Sequence, residues 1–282
     1  MIYIIWLKLR EGWDNPFKDI ERPDSDAVAY ILGAGPSFKK FLDEYDGCKA
    51  KYMSGAYFAS NFFVHDAHFA IIKPRYYCLS DGIFFCDSIY KERGLAVMSA
   101  LAEKVTWPMI LFVPRHYLNS DFLKALKIND NIEVKYMHSI NYQGLERFRN
   151  WSYNKGWGNG EFGSVVLYAL YAALVIGYKR INMYGIDHTY FDNLAVDDDN
   201  RLCFKDSHYY GTDKNLKPLY MVRDNIKKED LRTFTVCEYL QNKLKLFTGH
   251  EIMERYAQSI GADIINCTPG SMVDAYRRLK NS

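Results

Sequence analysis

The sequence predicts an α/β protein built on a doubly wound, mostly parallel sheet. Three observations predict it. Short apolar runs rich in β-branched and aromatic residues alternate with runs of helical spacing from residue 27 onward. A glycine turn, Gly33-Ala34-Gly35-Pro36-Ser37, stands between the first such strand and the first helix, as at the opening of a nucleotide-binding α/β unit. The run Val165 to Ile176 is apolar on every side, which suits a helix buried against a sheet.

Each element follows from its local pattern. Ala27 to Leu32 reads as a buried strand, and Phe38 to Tyr45 has helical spacing. Ala56 to Ala59 is a short strand ending at Ser60-Asn61, and Tyr76 to Asp81 is another. Glu92 to Val105 reads as a helix, Met109 to Val113 as a strand closed by Pro114, Asp121 to Lys127 as a helix, and Ile132 to Tyr136 as a strand. Residues 138–162, rich in Asn, Tyr, Trp and Gly, read as a loop. Gly177 caps the buried helix, and Arg180 to Tyr184 is the next strand. Residues 188–225 are polar and carry no period, so they read as an inserted lid or binding loop. Two helices follow, Lys228 to Leu246 and Glu251 to Ile260, then a last strand, Asp263 to Asn266. Ser271 is expected to cap a terminal helix through Leu279. The organisation expected is an N-terminal segment, 1–26, and a single domain, 27–282.

Composition narrows the function classes. The formal charge is only +2, which gives no case for duplex nucleic acid as a partner. Aromatic residues reach 16%, with 23 Tyr, enough apolar surface to offset ordering entropy and a composition suited to stacking ligands such as bases and sugars. The cysteines form no CxxC and no paired metal spacing, and Cys78, Cys237 and Cys267 read as reduced core residues. A cytoplasmic location is the expectation, with no secretory leader and no run of about 20 apolar residues. Residues 1–13 have two readings. One is an edge strand or docking segment. The other is an anchor at a membrane surface, with Trp6 and Trp13 at headgroup level and Lys8 and Arg10 above.

Several residues are placed for chemistry. Gly33 and Gly35 would let backbone approach a phosphate, with the following helix N-terminus at Ser37 supplying N–H groups. The turn is neither a GxGxxG fingerprint nor a P-loop, and a plain tight turn stays open. Asn61 ends the second strand, where an amide would read a base or ribose, or simply cap a loop. Gly185-Ile186-Asp187-His188 ends another strand at the same rim. Asp187 and His188 there could hold a hydroxyl, a phosphate or a metal. Asp197-Asp198-Asp199 has no metal-loop spacing and reads as a solvated turn. His208, inside Lys205-Asp206-Ser207-His208-Tyr209-Tyr210-Gly211, could take a proton from a hydroxyl at neutral pH or be a surface-loop residue. His65, His68, His116, His138 and His250 read as structural or exposed. GxSxG, HExxH and kinase motifs are absent.

Taken together, Gly33-Ala34-Gly35-Pro36-Ser37, Ser60-Asn61-Phe62, Gly177 to Asp187, Asp206 to Gly211 and Cys267-x-Pro269-x-Ser271 resemble the bacterial lipooligosaccharide-type sialyltransferases over about residues 27–276. The resemblance implies a Rossmann-like domain of the glycosyltransferase-A-like kind with a lid. It implies transfer of sialic acid or a related acidic sugar from a CMP-activated donor to a glycan hydroxyl of a surface polysaccharide or lipooligosaccharide. It assigns donor binding to Gly33, Gly35, Ser37, Asn61, Gly185, Ile186 and Asp187, with Ser271 near the nucleotide; to these the chemistry of the side chains themselves adds His188 as a donor contact and Tyr209 and Tyr210 at the leaving phosphate. It makes His208 the general base. No cofactor is then required, with magnesium left open.

This chain departs from that pattern at Ala34, where the family carries Asn, and at His188-Thr189, where it carries aromatics. Glu161-Phe162-Gly163-Ser164 stands where the family has Arg before Thr-Ser-Gly. The chain is also similar to a wider group of polysaccharide-cluster proteins related to 6-hydroxymethylpterin diphosphokinase. That kinship implies pyrophosphoryl transfer with Asp187 and Asp206 on magnesium. A non-catalytic nucleotide-sugar-binding assembly protein is the third reading. The expected partners are a nucleotide sugar and a glycan acceptor, with a lipid-linked acceptor, a membrane surface and a second copy of the chain left open.

Overall fold

The computed structural model describes residues 8–279 apart from 53, 88, 139, 141, 143, 161, 206–215, 222, 223 and 225. Eight strands form one sheet in the order β11-β10-β6-β1-β2-β3-β4-β5. They are β1 (Val28–Leu32), β2 (Ala56–Ser60), β3 (Tyr76–Cys78), β4 (Met109–Pro114), β5 (Ile132–Met137), β6 (Arg180–Tyr184), β10 (Asp263–Asn266) and β11 (Arg277–Arg278). Every pairing in this sheet is parallel. The doubly wound parallel α/β class expected from the alternation is the one observed.

Both faces of the sheet are covered, as a parallel sheet requires. In β1 the strand period of two sends Ala29 and Ile31 to one face and Tyr30 and Leu32 to the other. The first face packs on α6 (Val165–Ile176) and on α7 (Val236–Ser259). All of α6 except Val165 and Val175 is buried. Each large apolar side chain so buried contributes roughly 1.5–3 kcal/mol. The second face packs on α1 (Phe38–Gly47) at one end, through Phe38, Phe41 and Leu42. At the other it packs on α4 (Lys91–Lys104), through Val97, Met98 and Leu101. Two short helices, α2 (Lys49–Tyr52) and α3 (Phe69–Ile72), complete that side.

Four local expectations need correction. The loop expected over 138–162 contains α5 (Glu146–Asn154), whose buried face is Arg149, Ser152 and Tyr153. Its polar, aromatic composition hides that face from a periodicity reading. The two helices expected over 228–260 are one unbroken helix, α7, which starts later, at a Thr235–Glu238 capping box. Gly249 does not interrupt it; a side chain there would sit 2.5 Å from Phe162 Cβ and 2.7 Å from Leu167 Cδ1, so glycine lets α7 approach α6. The terminal helix expected after Ser271 does not form. Arg278 donates to the carbonyls of Ser271 and Val273, and the chain extends into β11. The inserted region 188–225 is also not structureless. It carries a second sheet of β7 (Leu194–Val196), β8 (Leu202–Lys205) and β9 (Leu216–Pro218), all antiparallel.

Residues 8–11 form a helical turn. Lys8, expected above a headgroup layer, is fully buried instead. Its ammonium lies 3.3 Å from His138 Nε2 and 4.6 Å from the Trp157 ring centre, and burial lowers its pKa to about 8. Trp6 lies outside the described residues. Cys78 is buried as expected, whereas Cys237 is exposed on α7.

The close approach of α7 to α6 makes a prediction. Gly249→Ala should destabilise the protein by about 1–3 kcal/mol through overpacking against Phe162 and Leu167. Urea unfolding measures it, and an unchanged midpoint would show that the two helices can part without cost.

Candidate functional site

Strands β2 to β5 extend the sheet on one side of β1, and β6, β10 and β11 extend it on the other. The chain therefore switches direction between β1 and β6, where ligands of open α/β sheets bind at the C-terminal strand ends. Two turns leave the sheet there and press against each other. Gly33 N donates to Tyr184 O at 2.8 Å, and Gly35 N donates to Gly185 O at 2.8 Å. A side chain on Gly33 would meet the Gly185 carbonyl carbon at 2.8 Å. Gly185 has a φ of 68°, a backbone state that glycine adopts at little cost.

Asp187 locks the pair of turns. Its carboxylate accepts from the Ser37 hydroxyl at 2.8 Å and from the Ser37 amide at 3.2 Å. The N-terminus of α1 thus already faces a negative charge, a favourable end for the helix dipole. Sequence reasoning placed a phosphate at this helix end. The structure places the chain's own carboxylate there, and a side chain on Gly35 would overlap it. Ile186 is a core side chain, 1% exposed. Ser271 sits behind the turn, where its hydroxyl donates to Ile186 O at 2.6 Å and accepts from Val273 N at 3.1 Å. It braces the Gly-Ile-Asp turn, in place of the helix-capping role expected of it.

The interlocked turns form one wall of a cavity of about 420 Å³. Ser60 and Asn61 enter from the end of β2, Ser164, Val165 and Val166 from the start of α6, and His188, Thr189, Tyr190 and Phe204 from the inserted region. A neighbouring cavity of about 540 Å³ shares Gly33 to Pro36 and Ser60 and is walled by Phe38, Leu42, Phe62 and Phe63. Asn61 is in the left-handed conformation, with φ 53°. Its carbonyl is held by the Tyr77 hydroxyl at 2.7 Å, and Tyr77 in turn accepts from Val64 N at 3.0 Å. Its side-chain Oδ1 is buried and has no partner within the described residues. A buried acceptor left unmade costs about 1–3 kcal/mol, so a donor supplied by a ligand would find a ready position. Ser164 caps α6, accepting from Val166 N at 3.2 Å, and the helix N-terminus brings a positive dipole end to the same cavity.

His188 also holds a left-handed backbone, φ 51°, at the turn's end. Its Nε2 lies 3.1 Å from His250 Nε2, and His250 Nδ1 lies 2.9 Å from the Tyr276 hydroxyl. Burial pushes His188 down to about 4, helped by the nearby Lys243 ammonium, and pushes His250 well below the ordinary histidine value. Both rings are neutral at pH 7. Tyr190 stacks on His188 at 5.2 Å, and Lys243 Nζ lies 3.8 Å above the Tyr190 ring. Sequence reasoning found His188 and missed His250, Tyr276, Tyr190 and Lys243. The only local signal for His250 was the helical pattern running on either side of Gly249.

His208, Tyr209 and Tyr210, with Asp206, lie outside the described residues. Among the described residues no group of three or more His, Cys, Asp or Glu side chains is placed to hold a metal ion. Among the same residues no helix is long and apolar enough to cross a membrane.

No protein family matches the chain, and no curated protein matches it in sequence. Among solved structures it is similar to the MAf glycosyltransferase from Magnetospirillum magneticum AMB-1, at 14% identity and a TM-score of 0.49. That likeness covers 97% of this chain, which spans 37% of the other protein's length.

The histidine pair predicts an acid sensitivity. The unfolded chain takes up protons at these rings near the ordinary value of about 6.5, while the folded state resists them. Stability should therefore fall as pH drops from about 6.5 toward 4. In the His188→Gln/His250→Gln double variant that slope should be shallower. Thermal midpoints across pH measure it; identical slopes would show that the pair protonates without opposing the fold.

Proposed function

We propose that this protein is a glycosyltransferase that moves an acidic sugar of the sialic acid type from a CMP-activated donor to a glycan hydroxyl. The observation that carries the reading is Asn61 Oδ1, which has no partner among the described residues and is set in the same cavity as the α6 N-terminus at the sheet's switch point. A cytosine amino group is a donor of the kind Asn61 lacks, and a single bridging phosphate suits one helix N-terminus. Gly33, Gly35, Gly185 and Asp187 shape the wall against which the nucleotide lies, with Ser37 and Ser271 bracing it. The phosphate belongs at α6 rather than α1, because Asp187 would repel it at α1.

In this mechanism His208 removes the acceptor proton as the hydroxyl oxygen attacks the anomeric carbon. The anomeric carbon–oxygen bond to phosphate breaks, and CMP leaves with the electron pair. Tyr209, Tyr210 and the α6 amides stabilise its phosphate. Support for His208 comes from its place in the chain: it follows β8, whose Phe204 lines the cavity. A pyrophosphokinase would need Asp187 free for magnesium and cations for a triphosphate. Asp187 is engaged by Ser37, and among the described residues neither Lys nor Arg lines the cavity around Asn61.

Calorimetry with CMP and with ATP, each with and without magnesium, tests the reading. CMP should bind more tightly than ATP, and EDTA should leave its affinity unchanged. Asn61→Ala should weaken CMP by about 1–3 kcal/mol. Magnesium-dependent ATP binding without CMP binding would replace glycosyl transfer by pyrophosphoryl transfer. His208→Ala should lower turnover about 10²- to 10⁴-fold with CMP affinity kept, and full activity in that variant would remove His208 from the mechanism.

A further inference from the structure

A second feature of the rim lies beyond β5, away from the cavity. Trp157 is a hub there. Trp13 packs on it edge-on at 5.1 Å, and Trp151 of α5 does the same at 5.1 Å from another direction. Phe148 continues the cluster, 5.4 Å from Trp151. The outer members stay in contact with solvent: Trp13 is 55% exposed and Trp151 44%. Leu9, in the helical turn before Trp13, is 74% exposed, and Leu145, just before α5, is 78% exposed. Exposed tryptophan and leucine on two segments joined through Trp157 mark an interaction surface.

The charges around the cluster select its partner. Arg147 and Lys155, each four residues from Trp151, are exposed. The neighbouring acids are engaged: Asp14 pairs with Arg115 at 2.8 Å, Glu146 with Arg255 at 3.6 Å, and the buried Glu11 with Arg10 at 3.4 Å. Beneath the tryptophans, Lys8 is sandwiched over Trp157 and tied to His138, so the rings are held outward on a rigid base. Indole rings at headgroup depth, leucines below and cations beside them match an anionic bilayer surface.

We propose that Leu9, Trp13, Leu145 and Trp151, flanked by Arg147 and Lys155, form a docking face for an anionic lipid bilayer. His138 follows the C-terminal end of β5, the end of the sheet at which the cavity also opens. Docking this face would turn the cavity's rim toward the bilayer. The inference rests on the surface itself and not on the transfer chemistry.

Co-sedimentation and tryptophan fluorescence with phosphatidylglycerol and phosphatidylcholine vesicles test it. The full chain should bind phosphatidylglycerol vesicles with a blue shift and bind phosphatidylcholine at least about tenfold more weakly. Leu9→Gln/Leu145→Gln should weaken phosphatidylglycerol binding about tenfold or more, as expected when two leucines no longer enter the interface. Arg147→Glu/Lys155→Glu should do so comparably at low salt. These positions are exposed, so melting midpoints should stay unchanged and confirm folded variants. Wild-type affinity in both variants would overturn the proposal. So would a concentration-dependent dimer that the leucine variant abolishes while lipid binding persists, because the face would then belong to a second copy of the chain. Loss of CMP binding with vesicle binding intact would count against the transferase reading alone.

Discussion

The contact between the Gly33–Gly35 turn and the Gly185–Asp187 turn sets the geometry of everything around the cavity. Two backbone hydrogen bonds and the Asp187–Ser37 pair hold strands β1 and β6 together beyond the point where their ladder ends. Each turn allows the other's approach only by lacking a side chain. Because Asp187 occupies the α1 N-terminus, the negative end that a ligand phosphate would meet there belongs to the protein. The positive end of α6 opens into the cavity beside Asn61. The same contact fixes the start of His188, whose strained backbone aims it back at α7.

The buried polar groups near this contact are arranged for rigidity. Ser271, Thr268 and Asn266 form a chain of hydrogen bonds behind the Gly-Ile-Asp turn, with Thr268 Oγ1 accepting from Ile186 N at 3.1 Å and Asn266 Nδ2 donating to Ser271 at 3.0 Å. His188, His250 and Tyr276 form a second chain on the α7 side. Both tie the C-terminal third of the chain to a turn far earlier in sequence, across 82 residues in the Ile186–Thr268 bond and 62 in the His188–His250 contact. Satisfied networks of this sort hold a single geometry because an unpaired buried group is costly.

Much of the fold was legible in sequence. The strand period, the all-round apolar run of α6 and the glycine turn each act through nearest neighbours, so they report local structure directly. The errors share a physical origin. α5 was hidden because its inward face is Arg149, Ser152 and Tyr153, polar residues whose burial depends on what covers them. α7 was split because a glycine reads as a breaker, whereas here it admits α6. The terminal helix gives way to β11 because that segment pairs with β10, while Arg278 reaches back to the nearby carbonyls of Ser271 and Val273. Lys8 was placed outside because its partners, His138 and Trp157, lie more than a hundred residues away.

For the site the division is similar. Glycine, asparagine and strand ends carry intrinsic backbone preferences, so the α/β class, the order of most elements and the candidate positions Gly33, Gly35, Asn61 and Asp187 are readable along the chain. What those residues meet is set by packing. Asp187 meets Ser37, Asn61 Oδ1 has no partner among the described residues, His188 lies against His250, and the α6 N-terminus opens into the same cavity. Those outcomes depend on distances between segments far apart in the chain, and no local propensity encodes them.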